Sequence, residues 1–231
     1  MSTIAIVCAM ERELQPFTKN WKRSGVEFQA RTFRVFEQNL GAKHLVAVAG
    51  GIGIHAAQLA ARAVLEKYRP EVLISAGFAG GLVRSLKVGC VITPNVIVDA
   101  RSGNESRCTP VENFVAGGVL VSAGEIAGPE SKQELVEKFH ALAVDMEASA
   151  VAQVARDAGI GFFCVKAISD EFTFPMLPLN QFVNATGNFL TGKFIYWTML
   201  RPWTWPRMIA LGRNSNRAMR ALCDWLKAHL P

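Results

Sequence analysis

Four short, almost uninterrupted apolar runs, at residues 3–9, 45–49, 72–76 and 162–168, constrain this chain more than any other feature. Each has the length of a strand and lacks the alternation of a one-sided strand, so each reads as a strand buried on both faces. Helical patterns lie between them. Residues 11–21 place Leu14, Phe17 and Trp21 on one face, and further helices are expected over 55–68 (ended by Pro70), 131–140 and 148–158. Residues 26–38 alternate like half-exposed strand, 89–99 and 118–122 read as strands, and 101–110 as a polar turn. Strands alternating with helices predict an α/β fold whose mixed or parallel sheet is covered on both faces. After Asp170 the pattern changes to a loop over 171–180 and helices over 189–200 and 207–229, without strand character.

The length of 231 residues suits a single domain spanning 1–231, and 50% hydrophobic against 19% charged residues supplies a core. The five cysteines are scattered and form no CxxC pair, which argues against a disulfide framework or zinc site and for a reducing compartment. No signal peptide or membrane-spanning run is expected. The net charge of +6 resides in the tail: from Asn184 onward seven Lys and Arg face Asp224 alone. A uniformly basic nucleic-acid binder is thereby excluded.

The chemistry lies at strand exits, where open α/β sheets bind ligands. Two strands run into glycine turns, at 50–53 and 77–81, which permit close backbone approach and favour an anion. Acids mark three other junctions: Glu11 and Glu13 after the first strand, Asp145 and Glu147 before the helix at 148, and Asp170 at the end of the run from 162. A first-turn acid or a helix cap accounts for Glu13 or Asp145 singly. Glu147 and Asp170 fit those roles less well. No metal-ligand spacing and no Ser–His–Asp order is present.

IVCAMERE (6–13), GIG (51–53), SAGFAGGL (75–82), VDMEA (144–148) and AISD (167–170) occur in that order. Together they resemble the purine nucleoside phosphorylase superfamily, most nearly its methylthioadenosine/adenosylhomocysteine nucleosidase branch, over residues 3–170. The resemblance implies a three-layer αβα sandwich, usually oligomeric and here expected as a homodimer, that cleaves the N-glycosidic bond of a small purine nucleoside without metal or organic cofactor. It implies three catalytic residues. Asp170 protonates N7 of the leaving purine, Glu147 accepts the ribose hydroxyls and Glu13 orients the attacking water. Met146 packs on the sugar. Phe162 and the backbone of Glu125 and Ile126 line the base site. Asp145, Phe78, Ala79, Gly80 and Ser169 complete the substrate-binding set.

Two departures bear on the nucleophile. Phosphorylases of this superfamily carry an arginine before the second glycine turn and a hydroxyl residue within it, where this chain has Ser75 and Phe78. A phenyl ring donates nothing to phosphate, so water is favoured, although Arg12, Arg31, Arg34 or Arg84 remains as a substitute anion ligand. The segment 97–119 also looks shorter than in the common nucleosidases, which would open the pocket.

With DMEASAVA (145–152), the tail motifs LRPWTWP (200–206) and ALGRNSNRA (210–218) are similar to the hopanoid-associated nucleoside phosphorylase family. That resemblance implies removal of adenine from adenosylhopane. The aromatic and basic tail, about 181–231, suits such a substrate through peripheral contact with a lipid surface, at the inner membrane surface of the cytoplasm, or packs on the domain or a second subunit. The alternatives are an ordinary methylthioadenosine/adenosylhomocysteine nucleosidase, a phosphate-dependent phosphorylase, and a catalytically dead nucleoside- or lipid-binding module.

Overall fold

The computed structural model describes residues 2–110, 117–184 and 186–230. Its centre is a mixed eleven-stranded sheet. β1 (Ser2–Cys8) lies between β4 (Lys43–Ala49) and β5 (Val72–Gly81), parallel to both. These are three of the four apolar runs, and most of their side chains are fully buried. β2 (Lys22–Phe28) and β3 (Arg31–Leu40) extend the sheet beyond β4 as an antiparallel hairpin. The alternating stretch 26–38 is therefore two strands. The turn between them places Gln29 and Ala30 at φ 47° and 58°, the left-handed geometry of a tight hairpin, without the glycine or asparagine that signals one.

On the other side, β5 pairs with β11 (Gly161–Asp170) along most of its length, and its last residues, Gly80 and Gly81, pair antiparallel with β10 (Ala143–Asp145). β9 (Val119–Ser122), β7 (Val96–Asp99) and β8 (Glu105–Arg107) follow. β6 (Val91–Ile92) pairs with β11, so the expected strand 89–99 is two strands with different neighbours, separated around Pro94. The expected turn 101–110 contains β8. Part of the segment 97–119, residues 111–116, lies outside the described residues.

Helices cover both faces. α2 (Ile54–Tyr68) and α4 (Ala148–Asp157) pack together on one face through alanines and valines. α1 (Glu11–Thr18) and α6 (Trp205–His229) pack on the other. α1 stops at Thr18, short of Trp21, whose ring nonetheless packs back on Phe17 at a tilt. α3 (Pro129–Phe139) lies against β9, and α5 (Thr191–Met199) precedes α6. Buried Ala218, Leu222, Cys223 and Leu226 seat the C-terminal half of α6 against the sheet. This half of the tail is core, not an appendage. Among the described residues no helix is long and apolar enough to cross a membrane.

Candidate active site

The topology brings three strand exits together. β5 outruns β1 and turns at Gly80 and Gly81 to meet β10, while β11 runs beside it to Asp170. The β11 register shifts between Ile168 and Asp170, setting Asp170 opposite Gly80. Such a bulge re-aims the side chains around it. The acids at these exits and at the start of α1 border one cavity of about 290 Å³, with Glu13, Glu147 and Asp170 in its wall.

Glu13 closes the first turn of α1. Its Oε2 accepts hydrogen bonds from the Ala9 and Met10 amides at 2.9 and 3.0 Å, the reciprocal capping that satisfies orphan N–H groups. Burial raises its pKa against the pull of those amides. Capping and facing the cavity are thus properties of one side chain.

Asp145 and Glu147 have opposite environments. Asp145 Oδ1 accepts from Ser122 Oγ at 2.6 Å and Oδ2 from the Ala148 amide at 2.9 Å, and Lys166 Nζ lies 2.8 Å from Oδ2. Asp145 borders the cavity, yet its carboxylate is consumed by these partners and serves to anchor the β10–α4 junction. Burial pulls the Lys166 pKa down, and the charges of Asp145, Cys164 and Glu147 with the Asp145 hydrogen bond together more than reverse the effect, leaving it raised. Glu147 has two weaker restraints: the Gly53 amide donates to Oε1 at 2.9 Å and the Met146 amide to Oε2 at 3.2 Å. Burial, then the charge of Asp145, pushes its carboxyl up to about 7, with Lys166 and the Gly53 amide opposing. The glycine turn at 50–53, which the sequence offers to a ligand anion, is thus occupied by the protein's own carboxylate. Gly53 adopts φ 98°, a conformation only glycine takes easily.

Asp170 accepts from Ser169 Oγ on Oδ1 at 2.9 Å and from Lys132 Nζ on Oδ2 at 2.5 Å. Across the cavity the Ile126 amide donates to Asn180 Oδ1 at 2.8 Å, and Asn180 Nδ2 reaches the Ile126 carbonyl at 3.4 Å.

Of the residues expected at the site, Met146, Phe78, Ala79, Gly80, Ile126 and Ser169 share this wall with the three acids and Asp145. Phe162 does not. It opens β11 opposite Leu73, buried in the core on the α2–α4 face, eight residues or about 26 Å of strand before Asp170. An aromatic side chain in an apolar run carries no sign of which strand end faces the ligand. Lys132 and Lys166 were not anticipated. A single charge inside the apolar run 162–168 was the available signal for Lys166, since a lysine buried in a strand needs a partner. Lys132 gave none, lying in a polar helix. Among the four candidate arginines, Arg12 borders the cavity, whereas Arg31 donates to the Gly50 carbonyl, Arg34 to Glu11, and Arg84 lies over the Phe172 ring. Among the described residues no group of three His, Cys, Asp or Glu side chains is arranged for a metal ion.

The family model of the phosphorylase superfamily matches residues 3–112 and 111–176. The methylthioadenosine/S-adenosylhomocysteine nucleosidase of Bacillus cereus strain B4264 is 29% identical over 198 residues, covering 72% of this chain and 85% of the relative. That of Listeria monocytogenes is 27% identical over 201 residues, covering 73% and 86%. The Helicobacter pylori nucleosidase crystallised with butyl-thio-DADMe-Immucillin-A superposes with a TM-score of 0.74 at 17% identity, over 99% of this chain and 97% of that one. Futalosine hydrolase of the same organism gives 0.64 at 20% identity, over 73% and 89%. The fold, the ordered motifs and the family match agree: the chain is an enzyme of the phosphorylase superfamily.

Proposed function

We propose that the chain hydrolyses the N-glycosidic bond of an adenine nucleoside bearing a large apolar 5′ substituent, with adenosylhopane as the substrate suggested by its tail motifs. One observation carries this reading: the cavity holding Glu13, Glu147 and Asp170 is also lined by the apolar side chains of Met176, Leu179, Phe189, Phe194, Met208 and Leu211. An apolar 5′ group would bury against that apolar lining. The base follows from Ile126. Its amide donates and its carbonyl accepts, and Asn180 answers with an acceptor and a donor. The N1 and 6-amino group of adenine present the same pair, and a 6-oxopurine presents its reverse.

In this reading, Asp170 delivers a proton to N7 as the C1′–N9 bond breaks. Glu147, ionised, takes the ribose hydroxyls and steadies the positive charge that develops on the sugar. Glu13 receives the proton of the attacking water. Water is preferred to phosphate because Ser75 is fully buried and Phe78 offers no donor. Arg12 in the same wall supports the phosphorolytic alternative, so the nucleophile is part of the test.

The remaining tail surface fits a lipid headgroup layer. Tyr196, Met199, Leu200, Trp203, Trp205 and Ile209 are exposed, Trp203 by 73%, around α5 and the start of α6. Lys193, Arg201, Arg207 and Arg213 belong to the same stretch and match anionic lipid. α5 and α6 carry both this surface and part of the apolar cavity lining, a route for a lipid-borne substrate.

Product analysis tests the function. Adenosine, methylthioadenosine, adenosylhomocysteine and a 5′-alkyl adenosine are incubated with and without phosphate. Adenine and a free ribosyl product, formed fastest from the alkyl substrate and regardless of phosphate, is the expected result. Ribose 1-phosphate derivatives formed only with phosphate would mean phosphorolysis. Preference for the small thionucleosides would overturn the apolar-substrate reading, and release of adenine from none would mean a binding module.

A further inference from the structure

Lys132 is the fourth residue of α3, in the first turn, where the positive end of the helix disfavours a cation. It is nevertheless 1% exposed, and its ammonium donates to Asp170 Oδ2 at 2.5 Å and to the Glu171 carbonyl at 2.9 Å. Stability does not explain it, because replacing such a buried pair by apolar side chains is often neutral or stabilising. Gly80 accommodates the pair: a Cβ there would stand 2.9 Å from Asp170 Oδ2 and 3.3 Å from Lys132 Nζ. All three residues border the cavity. Beyond Lys132, the hydrogen bond to Asp170 comes from a hydroxyl, Ser169, which does not give up protons readily.

We propose that Lys132 is a positioning residue and the proton source behind Asp170, a role that rests on the nucleosidase reading above. As the C1′–N9 bond breaks, its electron pair passes into the purine. The Lys132 ammonium gives a proton to the Asp170 carboxylate as Asp170 passes one to N7, leaving Asp170 ionised and Lys132 neutral. Water adds to C1′ and loses its proton to Glu13. Lys132 then regains a proton from solvent and Glu13 releases one, so the turnover consumes one water. Arg12, Glu13, Glu125, Asp145 and Glu147 also face this cavity, while the Glu171 carboxylate turns to Lys87 at 3.1 Å. Because the variants below retain all of these groups, the ratio of variant to wild-type rate isolates the Lys132–Asp170 pair.

Lys132→Met and Lys132→Arg are compared with wild type on the best-cleaved adenine nucleoside, from about pH 5 to about pH 8. Lys132→Met should lower kcat by about a hundredfold or more near pH 8, with KM within about threefold. Its rate relative to wild type should climb as pH falls, by up to about tenfold per unit, because solvent then protonates Asp170 directly. Lys132→Arg keeps the cation but holds its proton, so kcat falls without that recovery. Wild-type kcat in Lys132→Arg, or a Lys132→Met loss that is absent or equal at every pH, overturns the inference alone. A wild type that releases no adenine overturns the function as well. Should Lys132→Met fail to fold, a wild-type crystal structure with adenine decides. Asp170 within hydrogen-bond reach of N7 and still held by Lys132 supports the relay, and a lysine swung away from Asp170 overturns it.

Discussion

Glu13, Lys132, Asp145, Glu147 and Asp170 are buried in the wall of one cavity, Lys166 is buried against Asp145, and each charge is held differently. Asp145 is paired with Lys166 and accepts from two hydrogen-bond donors, which offsets its burial. Removing one partner of such a pair leaves an isolated charge, so Lys166→Met should destabilise by about 3–5 kcal/mol, measured by urea unfolding. Among the described residues Glu147 has no paired cation, and its carboxyl is pushed up to about 7 from an ordinary 4.5. The folded state therefore keeps a proton that the unfolded state has lost. The stability this confers is fully present below about pH 4.5 and is lost as pH rises through about 7. Glu147→Gln should thus be more stable than wild type by on the order of 2 kcal/mol at pH 8 and no different near pH 4, seen in denaturant melts at the two pH values. If the ionised form acts on the sugar, wild-type kcat/KM should rise with pH to a plateau above about 7. An acid limb placed well below that would separate Glu147 from the chemistry.

At the scale of elements, the buried strands and the helices between them were legible because periodicity reports burial directly. Strand partners were not, which is why residues 89–99 and 26–38 each divided into two strands. Pairing depends on residues distant in the chain: β6 answers to β11 and β7 to β9. The β2–β3 turn shows the same limit, since Ala30 sits at φ 58° only because both flanking strands are held by the sheet. Ala30→Gly should relieve that strain and raise stability by about 1 kcal/mol in thermal or denaturant melts. α6 belongs to the same network. Its Leu222 is fully buried, and neighbouring Cys223 contacts the Glu13 carbonyl through Sγ at 3.5 Å. Leu222→Ala should destabilise by about 2–5 kcal/mol in the same melts and loosen the backing of α1.

At the scale of the whole molecule, the tail divides into two functions of packing. Phe182, Phe189, Phe194 and Trp197 form ring contacts with one another, and the C-terminal half of α6 is core, while Met199, Trp203 and their neighbours face solvent. Met199→Ser with Trp203→Ser should weaken binding to anionic vesicles about tenfold, measured by flotation, and leave adenine release from adenosine unchanged. Equal vesicle binding, or a change of oligomeric state instead, would assign the surface to a second protein copy. The amino-acid sequence by itself determined the strand–helix alternation, the burial of the central strands and the three acid-bearing ends, because local composition records whether a segment meets solvent. It also carried the five ordered motifs that agree with the family. Only the tertiary structure decided that Asp145 is tied to Lys166, that Asp170 shares a proton-bearing partner in Lys132, and that Phe162 lies at the far end of its strand. Those facts depend on contacts between residues up to 38 positions apart and on strand direction, neither of which hydropathy encodes.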